Sequence, residues 1–348
     1  MTMKKLNVLV PSVLALFVAS AAHAGATFDT PQGKLNIGGD VEYDVTADNY
    51  SEGARPTDSQ YASGRILLDI NGERVLANGN YAGFKLNPLW GQQGGSGADD
   101  VWFGFGVKND WGFKIGHFEA YDLSPAGQDT YTVGTEGYRA NLARGRQDGT
   151  YADGSGKGGQ IMLTKENGQW HTELSTQFGA YDAGAVPAGS KNKDPVIARP
   201  VVAWTGDTMS FAVGAELNLI PDAYVDAAGN DASDWTGYGA TASLKASDDL
   251  TFALRGAYKD DVDGSSYSVG PNVQYQNFFI AYLNGKTKVD STDSSTKLNE
   301  VYASYKIPGV MGLDNFDMYL GASYGTTKVD SGTTDKEYGS RVRFKYFF

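Results

Sequence analysis

The chain has 348 residues, with 41 acidic and 29 basic side chains, a net charge of −12 and no cysteine. The acidic balance argues against a nucleic-acid partner, which needs a basic face, and the missing cysteines exclude disulfide frameworks and thiolate metal sites. Beyond residue 24 there is no apolar run of the about 18 residues a membrane-spanning helix needs, while 45 glycines, 21 tyrosines and 16 phenylalanines describe an all-β chain with many turns.

Residues 1–24 carry Lys4 and Lys5, an apolar run from Val8 to Ala22 interrupted by Pro11 and Ser12, and the small-residue triplet Ala22-His23-Ala24. That order is a secretory signal peptide with an A-x-A cleavage site. The expected mature chain is therefore 25–348, exported.

From Gly33 the pattern has period two, which places alternate side chains on opposite faces of a strand. Leu35, Ile37, Gly39, Val41, Tyr43 and Val45 share one face; Asn36, Asp40, Glu42 and Asp44 share the other. After a loop rich in Ser, Asp and Pro, Ile66, Leu68 and Ile70 face out and Arg65 and Asp69 face in, up to a hairpin turn expected at Asn71-Gly72. The next strand, through Tyr81, Phe84 and Leu86, alternates imperfectly, as a bulge would make it. Val101, Phe103, Phe105 and Val107 then point out and Trp102 in; Asn109-Asp110 turns the chain into Phe113 and Ile115.

A long connection follows, from 118 to 157. Connections beyond about 12–15 residues are functional or disordered, and Tyr121, Tyr131, Tyr138, Tyr151 and Leu142 argue for a segment that packs. It is expected to fold into the lumen of a barrel and narrow it.

Past it the rhythm is regular. Turns at Asn167-Gly168, Gly206-Asp207, Ser247-Asp248 and around Asn277 separate strands with apolar outer sets such as Trp170, Leu174 and Phe178, or Phe211, Val213 and Leu217. Inward positions take His171, Glu173, Arg199 and Arg255. The last strand sets Val342, Phe344, Tyr346 and Phe348 outward and Arg341, Arg343 and Lys345 inward. The sum is about sixteen strands of roughly ten residues, in the range of barrels with an aqueous channel. The expected fold is a 16-stranded antiparallel transmembrane β-barrel, with tight turns at one end and longer polar loops at the other.

A soluble sandwich would also alternate. Three features favour the membrane. The polar faces are rich in Gly, Ser, Asn, Asp and Arg, as suits a solvated lumen. Tyr43, Trp170, Trp204, Tyr258, Tyr282, Tyr305, Tyr324 and Tyr346 gather near strand ends as interfacial girdles do. Phe348 is in phase with the outward face.

The signal peptide, the opening KLNIGGDVEYD, the strand VKNDWGFKIGHFEAYD leading into a long third loop, and the closing RVRFKYFF together resemble Gram-negative outer-membrane porins. GHFEAYDLSPAGQDT followed by GYRANLARGR is similar to carbohydrate porins of the raffinose-porin (glycoporin) type. The resemblance implies a sixteen-stranded barrel, commonly a homotrimer, in the outer membrane among lipid and lipopolysaccharide, with a third loop that sets pore size for small sugars or ions. The loop lacks the PEFGGD-like acidic tip of general porins, so that family's eyelet residues are not carried over.

Three constellations bear on function. Arg341, Arg343 and Lys345 should meet Asp40, Glu42 and Asp44 where the first and last strands close the barrel. They would form either a stabilising charge ladder or one wall of a transverse field across the pore. In the loop, Arg139, Arg144 and Arg146 stand among Glu119, Asp122, Asp129, Glu136 and Asp148; they either pair internally or keep guanidinium forks free for hydroxyls and anions. Arg65, Arg199 and Arg255 add to the wall. Trp102, Phe118, Tyr121, Tyr131 and Tyr138 either pack the loop or stack on sugar rings, and Trp102 is aimed inward.

Catalytic chemistry finds little support. His117 and His171 lie in unrelated strands, and no GxSxG, HExxH or GxxxxGK[ST] occurs. The loop acids Asp226, Asp231, Asp234, Asp260, Asp261 and Asp263 could hold Ca²⁺ weakly or be solvated. No cofactor is expected. The sequence points to a passive channel for small hydrophilic solutes, saccharides foremost; the rivals are an anion- or phosphoester-favouring pore and a barrel adhesin or enzyme.

Overall fold

The computed structural model describes residues 25–52, 55–123, 125, 127–133, 159–179, 193–223, 231, 233–234, 236–330, 332 and 334–348. A short strand β1 (Ala26–Thr30) precedes a closed ring of sixteen. The ring runs β2 (Gly33–Glu52), β3 (Arg55–Val75), β4 (Asn80–Gly91), β5 (Ser96–Val107), β6 (Trp111–His117), β7 (Gly159–Asn167), β8 (Trp170–Phe178) and β9 (Val196–Thr205). It continues through β10 (Met209–Asn218), β11 (Thr236–Lys245), β12 (Leu250–Asp261), β13 (Gly264–Tyr275), β14 (Phe278–Val289), β15 (Ser294–Ile307), β16 (Phe316–Val329) and β17 (Thr334–Phe347). Each strand pairs antiparallel with the next, and β17 returns to pair with β2. Closure leaves no sheet edge within the ring, the condition for a sheet to stand in hydrocarbon.

The burial pattern is inverted relative to a water-soluble protein. Along β2, Asp40, Glu42, Asp44 and Asp48 are buried while Tyr43 and Val45 are exposed. The same holds round the ring, where Phe103, Leu163, Leu174, Val213, Leu254 and Val301 all lie open on the outer face. A continuous apolar band of this kind is stable only against lipid. Among the described residues no helix is long and apolar enough to cross a membrane.

Trp170 and Trp204 stand directly opposite each other, and Phe211 meets both rings at 5.7 Å. They lie beside the tight turns, and Tyr258 and Tyr324 lie toward the other end of their strands, so aromatic residues flank the band on both sides.

Two expectations need correction. Asn71-Gly72 is not a turn: β3 continues to Val75, with Asn71 opposite Lys85 and Gly72 opposite Phe84. The glycine is there because the Phe84 ring lies over it; a Cβ would sit 2.5 Å from that ring. The hairpin falls at Asn78-Gly79, where Gly79 adopts φ +86°. Nor is the Ser-, Asp- and Pro-rich stretch after Val45 a loop. Pairing continues to Glu52 opposite Arg55, so β2 and β3 reach 20 and 21 residues, well beyond the roughly ten that cross hydrocarbon. The expected bulge does occur, as a register shift between Leu86 and Pro88 of β4.

At the closing seam, β17 pairs with β2 as far as Asp40, and β1 takes over the same edge from Ile37. Phe348 fills the step: its N–H donates to the Gly39 carbonyl at 3.0 Å and its own carbonyl accepts from the Gly39 N–H at 2.9 Å.

Candidate pore-lining site

The inner wall where the ring closes carries a dense set of charges. Register sets Arg343 opposite Asp44 and Lys345 opposite Glu42. The Arg343 guanidinium donates to both Asp44 oxygens at 2.7 Å and lies 3.0 Å from Glu42; Lys345 lies 3.1 Å from Glu42. Arg65 of β3 extends the ladder, 3.8 Å from Asp40 and 3.8 Å from Glu42. A fork matched to a carboxylate holds one geometry, as a flexible lysine does not.

Asp129 joins this ladder from the long connection. It accepts from Arg343 at 2.6 Å and from Arg341 at 3.2 Å, and Arg341 also donates to the carbonyls of Asp129 and Thr130 at 3.0 and 3.2 Å.

The described residues between 118 and 133 follow the inner wall on both sides of that point. The Tyr121 N–H donates to Glu173 of β8 at 3.0 Å, and its carbonyl accepts from Arg199 of β9 at 2.5 Å. Leu123 packs on Val201, Ala203 and Ala212. The Pro125 carbonyl accepts from Arg255 of β12 at 2.6 Å. Gln128 donates to the Asn277 carbonyl at 2.7 Å, and its own carbonyl accepts from Ser304 of β15 at 2.8 Å. Beyond Asp129, the Tyr131 hydroxyl donates to Asp48 of β2. The Val133 N–H donates to Glu300 of β15 at 2.8 Å.

This path accounts for the inward-pointing apolar residues. Phe279, Ala281, Leu283 and Tyr302 form a buried cluster on the inner face, and Gly127 lies against the Phe279 ring. Arg199 and Arg255, predicted as wall residues, are 0% and 2% exposed. They lie beneath the segment as supports for its carbonyls. Arg199 is further held by Glu173 and Glu216, each at 3.7 Å.

The aromatic candidates divide similarly. Phe118 and Tyr131 are buried, and Tyr121 stacks on His171 at 5.5 Å. Trp102 stays half-buried on the wall, with the Lys114 ammonium 4.5 Å above its ring. Glu119 is exposed and Asp122 half-buried. Glu136, Arg139, Arg144, Arg146, Asp148 and Tyr138 lie outside the described residues.

Sequence reasoning missed Glu300, Ser304 and Asp48 as side chains that receive the segment, and placed Glu173 inward without a partner. One signal was present: in β14 the run FFIAYL is apolar on both faces, which in a barrel marks a stretch covered on the inside as well.

A closed antiparallel barrel with an apolar girdle outside and a charged, partly covered wall inside is an outer-membrane porin. The family described as porin-like glycoporin RafY matches residues 37–348, and the chain belongs to it. No curated protein matches the chain in sequence. Among solved structures, the outer-membrane channel DcaP of Acinetobacter baumannii is similar at TM-score 0.62 and 13% identity, over 93% of this chain and 100% of that one. OmpT of Vibrio cholerae is similar at TM-score 0.58 and 12% identity, over 93% and 100%. A mutant of the Rh. blastica porin follows at TM-score 0.53 and 13% identity, over 90% and 100%. At these identities the likeness is one of fold. The family and the fold are those of channel proteins.

Proposed function

We propose that this porin is a passive channel for small hydrophilic solutes, saccharides foremost, with an aperture set by residues 118–157. The observation that carries the reading is the course of residues 118–133, which are hydrogen-bonded to inward side chains from β8 round to β2. A segment so held takes up lumen cross-section, and these anchors lie outside the β3–β6 wall, which carries Arg65, Lys85, Asp100 and Trp102. That wall offers charge-assisted donors and acceptors plus an aromatic face, the combination that hydroxyl-rich solutes use. The RafY glycoporin family name is in keeping with a sugar permeant.

Solutes move down their gradient, with no covalent step. Residues 1–24 serve as a cleaved export signal, and the barrel works as a homotrimer. An anion-favouring pore would draw on Arg139, Arg144 and Arg146; the described arginines Arg341 and Arg343 are engaged by carboxylates, which favours the neutral-solute reading.

Planar-bilayer recording tests the proposal. Stepwise ohmic conductance that raffinose or maltodextrin blocks, with glycerol as the inert control, is the expected result. Conductance indifferent to both sugars would remove the saccharide reading, and a sealed barrel would remove the channel itself.

A further inference from the structure

His171 is held between two carboxylates. Its Nδ1 lies 2.6 Å from Glu166, directly opposite on β7, and its Nε2 lies 3.6 Å from Glu173, two residues along the same inward face of β8. Nε2 is buried and makes no hydrogen bond among the described residues. A neutral imidazole has one N–H and one lone pair, whereas imidazolium donates from both nitrogens. The neutral form therefore turns a lone pair toward one of the two carboxylates, and the charged form turns a donor toward each.

This histidine touches the inserted segment at its root. Tyr121 lies over the imidazole, with ring centroids 5.5 Å apart and planes 27° from parallel. The Tyr121 N–H donates to Glu173, the carboxylate that faces Nε2. Leu123 packs on Ala203, which stands opposite His171 on β9. A cation is attracted to the face of a tyrosine ring, and a neutral imidazole lacks that attraction. Protonation thus tightens both the stack and the carboxylate that holds the Tyr121 amide.

The surrounding charges come from every element packed on the site. Arg199 of β9 lies 3.7 Å from Glu173 and 3.7 Å from Glu216 of β10. Lys114 of β6 is attracted to Glu173 through space, and Asp122 acts on Tyr121 and Arg199 in the same way. Of these side-chain types, histidine is the one that ordinarily changes charge between about pH 5 and 8. The Glu166 side chain is 38% exposed and stands one residue before the Asn167-Gly168 turn. Tight turns face the periplasm in barrels of this kind, so the imidazole exchanges protons with the periplasmic mouth through Glu166.

We propose that His171 is a proton-operated latch on the constriction: charged, it seats Tyr121 and the root of the inserted segment on β8; neutral, it releases them toward the lumen. The latch rests on the channel reading for its electrical consequence. Periplasmic pH then regulates the aperture, steady in acid and flickering in alkali.

The test takes the folded full-length barrel through two readouts. In planar bilayers the wild type is expected to hold steady open levels at about pH 5.5 and to close briefly at about pH 8.5. The closure frequency should rise about tenfold between them, the order of the difference between a charge-assisted and a neutral hydrogen bond. His171→Gln, which cannot carry the charge, should flicker at the high-pH frequency throughout. His117→Gln, opposite Val101 on the outer face, should keep the pH dependence. Hydrogen exchange at the Tyr121 amide in detergent, corrected for intrinsic rates, follows the latch without any ion current. It should also accelerate about tenfold over this pH range in the wild type and be insensitive to pH in His171→Gln. Tyr121→Leu removes the stacked ring and should lose most of the contrast, which decides the matter should His171→Gln fail to fold. Wild-type exchange and closures that ignore pH overturn the latch, as does a full pH contrast in His171→Gln or Tyr121→Leu. A barrel that carries no current removes the channel reading, and the exchange data alone then decide the latch.

Discussion

Gly127 lies on the ring of Phe279 so closely that a Cβ at this position would come within 2.0 Å of ring carbon Cε2. The glycine has φ +82°, in the region where side chains cost about 1–2 kcal/mol. Both conditions let the chain at Gly127 lie flat against β14. Gly127→Ala should lift it toward the channel axis, lowering single-channel conductance and adding brief closures. Bilayer records identical to wild type would show that the segment does not narrow the pore.

Arg343 bridges Asp44 and Asp129, with its side chain only 15% exposed. Replacing it by glutamine leaves two carboxylates without their strongest partner, and removing one member of a buried charge pair costs about 3–5 kcal/mol. Arg343→Gln should therefore lower the midpoint of urea unfolding and raise cation over anion permeability. Reversal potentials in a salt gradient read the second effect. A variant with unchanged permeability ratios would place this ladder outside the ion path.

Gly39 is the point where β2 changes neighbour from β17 to β1, and a Cβ there would meet the Leu67 carbonyl oxygen at 2.1 Å and the Phe348 ring at 2.9 Å. Because the nearer obstacle is backbone, Gly39→Ala must shift strands and should destabilise the barrel by about 1–3 kcal/mol, the usual range for overpacking. Semi-native electrophoresis across a temperature series checks this, and a melting midpoint equal to wild type would show that the seam is loosely packed.

The turn after β12 is joined to the turn after β14 by Asp263, which accepts from the Ser291 N–H at 2.7 Å and from the Ser291 hydroxyl. These bonds hold the Asp263 carboxyl below its ordinary value of 3.8. A carboxyl depressed in the folded state stabilises that state above its unfolded pKa, and the contribution is lost as pH falls through the folded value. Amide exchange at Ser291, corrected for intrinsic rates, should accelerate as pH drops below 3.8. Asp263→Asn should lose this pH dependence, and a variant that keeps it would assign the effect to another group.

The barrel was legible because period two needs only adjacent residues: Asp40, Glu42 and Asp44 against Val41, Tyr43 and Val45 already state which face meets water. The meeting of Arg343 and Lys345 with Asp44 and Glu42 was legible too, since a ring must join its first strand to its last. The path of the long connection was not. Arg199 and Arg255 read from sequence as wall residues, and nothing local distinguishes an arginine open to the lumen from one beneath a main-chain segment; that depends on contacts more than 70 positions apart. Asn71-Gly72 was misread for a related reason: its glycine answers to Phe84 on the neighbouring strand, not to a turn.

Arg199, Arg255 and Arg341 grip the inserted segment by its carbonyls, at Tyr121, Pro125, Asp129 and Thr130. Every amino acid supplies a carbonyl, so these particular bonds are indifferent to the side chains of the residues that accept them. Substitution can therefore retune the diet of such a channel over evolutionary time, while the frame that carries the tuning surface stays as it is.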